Sequence, residues 1–223
     1  MKAVIKAFKI LMLFSLFFFS CNRNENRKIE EAAKRLNEFC NVRETKLEVS
    51  PKDIFTGFDT LKGIAKQINL CSLDKPGDSI IIRVWFDTGG LQIKQFVLEI
   101  GYQNQSYFGA FYEFKTYYPD SSRKKMAKVL SKRDIGTQSQ LSQIFNNLIM
   151  MDILTLPTME DLGPGFGGGD GNNYCVEVFS KKHYRYYVYW CPNEFKGRNK
   201  FIDQIIMILN YLRKEIKIQD EAC

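Results

Sequence analysis

Between Ile80 and Phe114 the chain keeps a two-residue alternation through three successive runs, and no other feature limits its possible folds so tightly. Ile80, Ile82, Val84 and Phe86 alternate with Ile81, Arg83, Trp85 and Asp87, the period of a strand. After the turn residues Thr88-Gly89-Gly90, Phe96, Leu98 and Ile100 alternate with Gln95, Val97 and Glu99. Past Gly101–Gln105, the residues Phe108, Ala110, Tyr112 and Phe114 alternate with Tyr107, Gly109, Phe111 and Glu113. Neighbouring strands joined by short turns predict an antiparallel meander, which a shorter strand over Met126–Ser131 extends.

The remaining segments supply helices and a second strand pair. Apolar residues at helical spacing predict a helix over 27–40, through Ile29, Leu36 and Phe39. Ser50-Pro51-Lys52-Asp53 reads as another helix start. A third helix opens at Thr137 with Leu141, Ile144, Phe145, Leu148 and Ile149 on one face and runs to Ile153. The last, Asn199–Ile218, is amphipathic through Phe201, Ile205, Ile208, Leu212 and Ile216. Strands over Tyr174–Ser180 and Tyr184–Cys191 form a C-terminal β-hairpin. The expectation is an α+β fold: an antiparallel meander sheet plus that hairpin, with three or four helices packed on one face.

The amino terminus is of a different kind. Lys2, Lys6 and Lys9 precede an uncharged apolar run from Ile10 to Phe19, which Ser20 closes before Cys21. A basic flank, a greasy segment too short to span a bilayer and a small residue make a secretory signal. The Ser20-Cys21 junction resembles bacterial lipoprotein signal peptides, although Phe18 and Phe19 stand where that family usually has Leu and a small residue. The resemblance implies a thioether-linked diacylglyceryl group carrying palmitate-type chains on Cys21, and cleavage that makes Cys21 the new amino terminus. Two or more such chains anchor stably where one is marginal. The expected organisation is a signal peptide over 1–20, a lipidated cysteine and tether over 21–26, and one domain over 27–223. The location implied is the bacterial cell envelope, lipid-anchored at the outer membrane and facing the periplasm or the cell surface.

Charge then argues against nucleic acid. The chain carries 32 basic and 25 acidic residues, but loss of the three leader lysines leaves an excess of only +4. In an oxidising compartment disulfides persist. Cys175 and Cys191 bracket the hairpin and are expected to pair, with Glu177 then facing Tyr189 and Phe179 facing Tyr187. By elimination Cys40 pairs with Cys71, one of three connectivities open to four cysteines, and Cys223 is left over. No C-x-x-C pair exists and His183 is the one histidine, so no metal site and no cofactor are expected.

Candidate chemistry is sparse. The stretch 163–171, GPGFGGGDG, formally contains Gly163-x-Gly165-x-x-Gly168, but it follows a helix and precedes a strand, the reverse of a dinucleotide site. Asp170-Gly171-Asn172-Asn173 reads as a turn rather than a calcium loop. His183 lies among Lys181, Lys182 and Arg185 with no carboxylate to orient it. A two-carboxylate hydrolase would have to draw on Glu160, Asp161, Asp170 and Glu177. Trp85, Tyr107, Phe111, Phe179, Tyr187 and Tyr189 fall on the parity opposite the expected core. That face is either a second core layer or an aromatic platform for an envelope protein or glycan, rimmed by Arg83, Glu113 and Lys115. Arg123, Lys124, Lys125, Lys128, Lys132 and Arg133 make a basic stretch that would suit anionic headgroups or a solvated edge strand.

The segment Asp170-Gly171-x-x-Tyr174-x-x-Glu177, with Tyr184-Arg185 and Pro192 downstream, resembles stretches of uncharacterised secreted bacterial proteins. It covers about a tenth of the chain and transfers no activity. The expected function is a non-catalytic, membrane-anchored interaction module, the alternative an envelope hydrolase using carboxylates near the Gly-rich loop.

Overall fold

A computed structural model describes residues 25–39, 58–70, 79–86, 94–119, 125–166, 173–180 and 184–218. The leader, Cys21, Cys40, Cys71, Asp170, His183, Cys223 and the basic residues Arg123 and Lys124 lie outside them. Six strands form one antiparallel sheet: β1 (Ile80–Phe86), β2 (Gln95–Gln103), β3 (Ser106–Tyr117), β4 (Met126–Asp134), β5 (Asn173–Ser180) and β6 (Tyr184–Trp190). Their spatial order is β4-β3-β2-β1-β5-β6, so the meander and the hairpin join where β5 pairs with β1. Four helices accompany them: α1 (25–39), α2 (Phe58–Gln67), α3 (Gln138–Met150) and α4 (Lys200–Ile216). The α+β class and meander follow the sequence reading.

Local chemistry explains the helix positions. Thr137 caps α3 by accepting from Gln140 N, and Gln140 Oε1 accepts from Thr137 N at 2.8 Å, a reciprocal capping box. Gln138 in the first turn of α3 accepts from Tyr107 N and donates to Tyr107 O, tying the helix to β3. Asn199 caps α4 by accepting from Phe201 N at 2.9 Å.

The principal core lies between one face of the sheet and α1, α3 and α4. Ile82, Val84, Leu98, Ile100, Val176 and Val178 meet Phe145, Leu148, Ile205, Ile208 and Leu212 there. Helices on one face were the expectation, with the other face either a second core layer or an open platform; α2 covers that other face. Its Leu61, Ile64, Ala65 and Ile68 pack with Trp85, Val97, Tyr112 and Phe114 in a second apolar layer. Every residue of β1 is buried as a result.

The assignment of aromatic side chains to faces also changes. Asn104 and Gln105 have φ of 51° and 62°, the left-handed pair of a two-residue hairpin turn. That turn fixes Gln103 opposite Ser106 and so brings Tyr107 opposite Tyr102 and Phe111 opposite Leu98. Tyr107 and Phe111 therefore join the principal core, and Ala110, Tyr112 and Phe114 turn to the α2 side. Gly101 is needed in this register, because a Cβ there would lie 2.5 Å from the Phe108 ring and 2.6 Å from Ile80 O.

The hairpin register differs from expectation by three residues. Cys175 faces Val188, Glu177 faces Tyr186 and Phe179 faces Tyr184. An odd shift moves every side chain of one strand to the other face. Tyr187 and Tyr189 consequently enter the principal core, where their hydroxyls donate to Ile153 O and Pro157 O. The Cys175–Cys191 pair is thereby overturned. Cys175 is a buried thiol that receives a hydrogen bond from Tyr186 Oη at 3.5 Å. Cys191 is disulfide-bonded to a cysteine outside the described residues, where the expected Cys40–Cys71 pair also lies. Alkylation of the unfolded, unreduced protein should label the Cys175 peptide and leave the Cys191 peptide unlabelled. A labelled Cys191 from envelope-expressed protein contradicts this pairing.

Candidate functional site

Charged residues collect at the middle of the α2 face. The register sets Glu99 on β2 and Glu177 on β5 directly opposite Arg83 on β1, one on each side. Arg83 Nε donates to Glu99 Oε2 at 2.7 Å, and Arg83 Nη1 lies 3.7 Å from Glu177 Oε2. Trp85 Nε1 donates to Glu177 Oε2 at 2.7 Å, and Tyr184 Oη donates to Glu177 Oε1 at 2.7 Å. All three charged residues are at most 3% exposed. Strong mutual hydrogen bonding is what makes such burial tolerable.

This cluster is closed. Both oxygens of Glu177 accept hydrogen bonds, and little surface remains for water or substrate. Burial, then the charge and hydrogen bond of Glu177, push the Tyr184 phenol well above its usual range. Burial followed by Cys175 does the same for Tyr186. Both phenols are thus held as neutral donors, the opposite of what a general base requires.

The other described hydrolase candidates, Glu160 and Asp161, lie away from this row, in a short 3-10 turn, Met159–Leu162. That turn follows Thr158, whose Oγ1 accepts from Val188 N and donates to Val188 O on the outer edge of β6. Asp170 is outside the described residues. The proposed aromatic face dissolves in the same way: Trp85 is buried under α2, and Tyr107, Phe111, Tyr187 and Tyr189 pack on the helical side. Of its rim, Glu113 is paired with Lys94 at 2.9 Å. Among the described residues, no group of three His, Cys, Asp or Glu side chains could hold a metal ion, and no helix is long and apolar enough to cross a membrane.

Among the described strands, β4 is the most exposed. Its residues from Lys128 to Asp134 are all exposed, including Val129 at 37% and Leu130 at 42%. Basic side chains dominate: Lys128, Lys132 and Arg133 against Asp134 alone. The register slips between Glu113 and Phe114, where a bulge interrupts the ladder. Sequence reasoning placed strand and basic residues here but missed the Glu99–Arg83–Glu177 row. The signal was available, since each is a charge inside a strand whose neighbours are apolar. No family model matches the chain, and no curated protein matches it either.

Proposed function

We propose that the mature domain is a non-catalytic binding module of the bacterial cell envelope, held at the membrane by lipid on Cys21. The observation that carries the binding reading is the open, basic edge β4 on a sheet whose faces are covered by helices. The carboxylates nearest the sheet centre are committed to Arg83, Trp85 and Tyr184, which supports a structural role for them. The anchor rests on the basic leader, the apolar run and the Ser20-Cys21 junction. The disulfide at Cys191 supports passage through an oxidising compartment, and the outer membrane is the proposed destination.

Growth with a labelled fatty acid tests the anchor. The wild-type chain should carry label in the membrane fraction, and Cys21→Ala should lose both label and membrane association. A labelled, membrane-bound Cys21→Ala chain would sink the proposal.

One observation favours the second reading, an envelope hydrolase: Glu160 Oε2 is buried without a hydrogen-bond partner. Screening the purified domain against glycan, peptide and ester substrates separates the two. Turnover that disappears in Glu160→Gln while circular dichroism is unchanged assigns catalysis to that turn.

A further inference from the structure

The two edges of the sheet are treated differently. The outer edge of β6 is covered by residues 153–162: besides Thr158 on Val188, Trp190 N approaches Met159 Sδ at 3.2 Å, and Arg185 donates to Leu154 O and Leu156 O. On β4 only the start is covered among the described residues, where Gln67 Oε1 of α2 accepts from Ala127 N at 2.6 Å.

Which backbone groups point away from β3 follows from two bonds. Ile135 N donates to Gly109 O at 3.0 Å, so Arg133 and Ser131 also turn inward, and Lys132 and Asp134 turn outward. Before the bulge, the outward amide of Ala127 places Val129 outward as well. A strand laid along 128–134 would meet these groups and cover Val129 and Leu130.

Charge selects the strand. Lys128 sits directly opposite Lys115 on β3, and among the described residues no carboxylate lies within salt-bridge distance of either. Like charges directly opposite are destabilising, so an acid arriving beside Lys128 relieves a strain present in the isolated domain. Lys132 lies 5.2 Å over the Tyr112 ring with its side chain exposed to an arriving carboxylate, and Arg133 lies 4.8 Å over the Phe111 ring and donates to Ile216 O. Lysines on an edge strand disfavour pairing with a second copy of the same edge.

We propose that β4 is a strand-addition site for an extended acidic segment of a partner protein. The segment's main chain pairs along 128–134, with one carboxylate meeting Lys128 on the α3/α4 face of the sheet and another meeting Lys132 on the α2 face, because the bulge puts the two lysines on opposite faces. Backbone hydrogen bonds supply affinity in this mode, and alternate side chains supply specificity. The inference rests on the binding-module reading and names the partner's chemistry.

The probe is a short capped extended peptide of Glu and Val with Glu on both of its faces, titrated into the purified mature domain. Binding should weaken about tenfold or more in Lys128→Glu/Lys132→Glu and with rising salt. N-methylation of alternate peptide amides should abolish binding in one register and spare it in the other. The doubly substituted domain is checked by circular dichroism, and the N-methyl series needs no variant at all. Binding indifferent to N-methylation in both registers overturns strand addition. So does absence of peptide binding, or lysine-dependent binding of the unlipidated domain to phosphatidylglycerol vesicles instead, or a concentration-dependent dimer abolished by the same substitutions. Those outcomes leave the binding-module reading standing; turnover lost in Glu160→Gln removes that reading without touching the peptide result.

Discussion

Arg83→Met should lower the stability of the domain by about 3–5 kcal/mol, the usual cost of removing one partner from a buried ion pair. The loss comes from what stays behind: Glu99 and Glu177, both nearly inaccessible, face one another across the place where the guanidinium stood. Deleting Glu99 as well should help. Arg83→Met/Glu99→Leu leaves one carboxylate, which still accepts from Trp85 and Tyr184, and should recover about 2 kcal/mol of the deficit. Urea unfolding followed by circular dichroism measures each of these. A single-variant loss under about 1 kcal/mol, or strict additivity in the double, would show that the row contributes little.

Alkaline unfolding should be abrupt. Tyr184, Tyr186, Tyr187 and Tyr189 all have phenols raised from 10.0, chiefly by burial. A group whose folded value is raised contributes stability below its unfolded value and loses it above. The unfolded chain releases these protons from about pH 10 upward, while the folded chain retains them. Each phenol then subtracts about 1.4 kcal/mol per pH unit, so four subtract about 5–6. With a total stability of about 5–15 kcal/mol, the domain should unfold within roughly two pH units above 10. Tyrosinate absorbance and far-ultraviolet circular dichroism should change together, in one transition. Tyr186→Phe should make it shallower by about one phenol's share. Smooth ionisation of all the tyrosines near pH 10 in a still-folded protein would refute the assignment.

Much of the architecture was legible because it is a matter of period. Ile80–Phe86 alternates cleanly, and Leu141, Ile144, Phe145 and Leu148 recur at helical spacing, so β1 and α3 follow from the sequence. Thr137 and Gln140 announce the start of α3 in the same local way. The candidate site was less legible. Period reveals that two sets of side chains lie on opposite faces, but not which set meets which helix. Register settles that, and here it depended on the backbone of Asn104-Gln105 and on the three-residue offset between β5 and β6.

The sequence by itself determined the leader pattern, the α+β class, the number of strands and the basic character of the stretch that becomes β4. Each of these is local: hydropathy, spacing and charge act over a few residues. Only the tertiary structure decided that Arg83 lies between Glu99 and Glu177, residues 16 and 94 positions further along the chain. It likewise decided that the aromatic side chains are core, that Cys175 stays a thiol, and that β4 rather than β6 is the open edge. The physical reason is shared by all of them. Strand pairing fixes faces and edges through contacts distant in sequence, and a one-residue slip reverses every side chain without altering the pattern that predicts the strand.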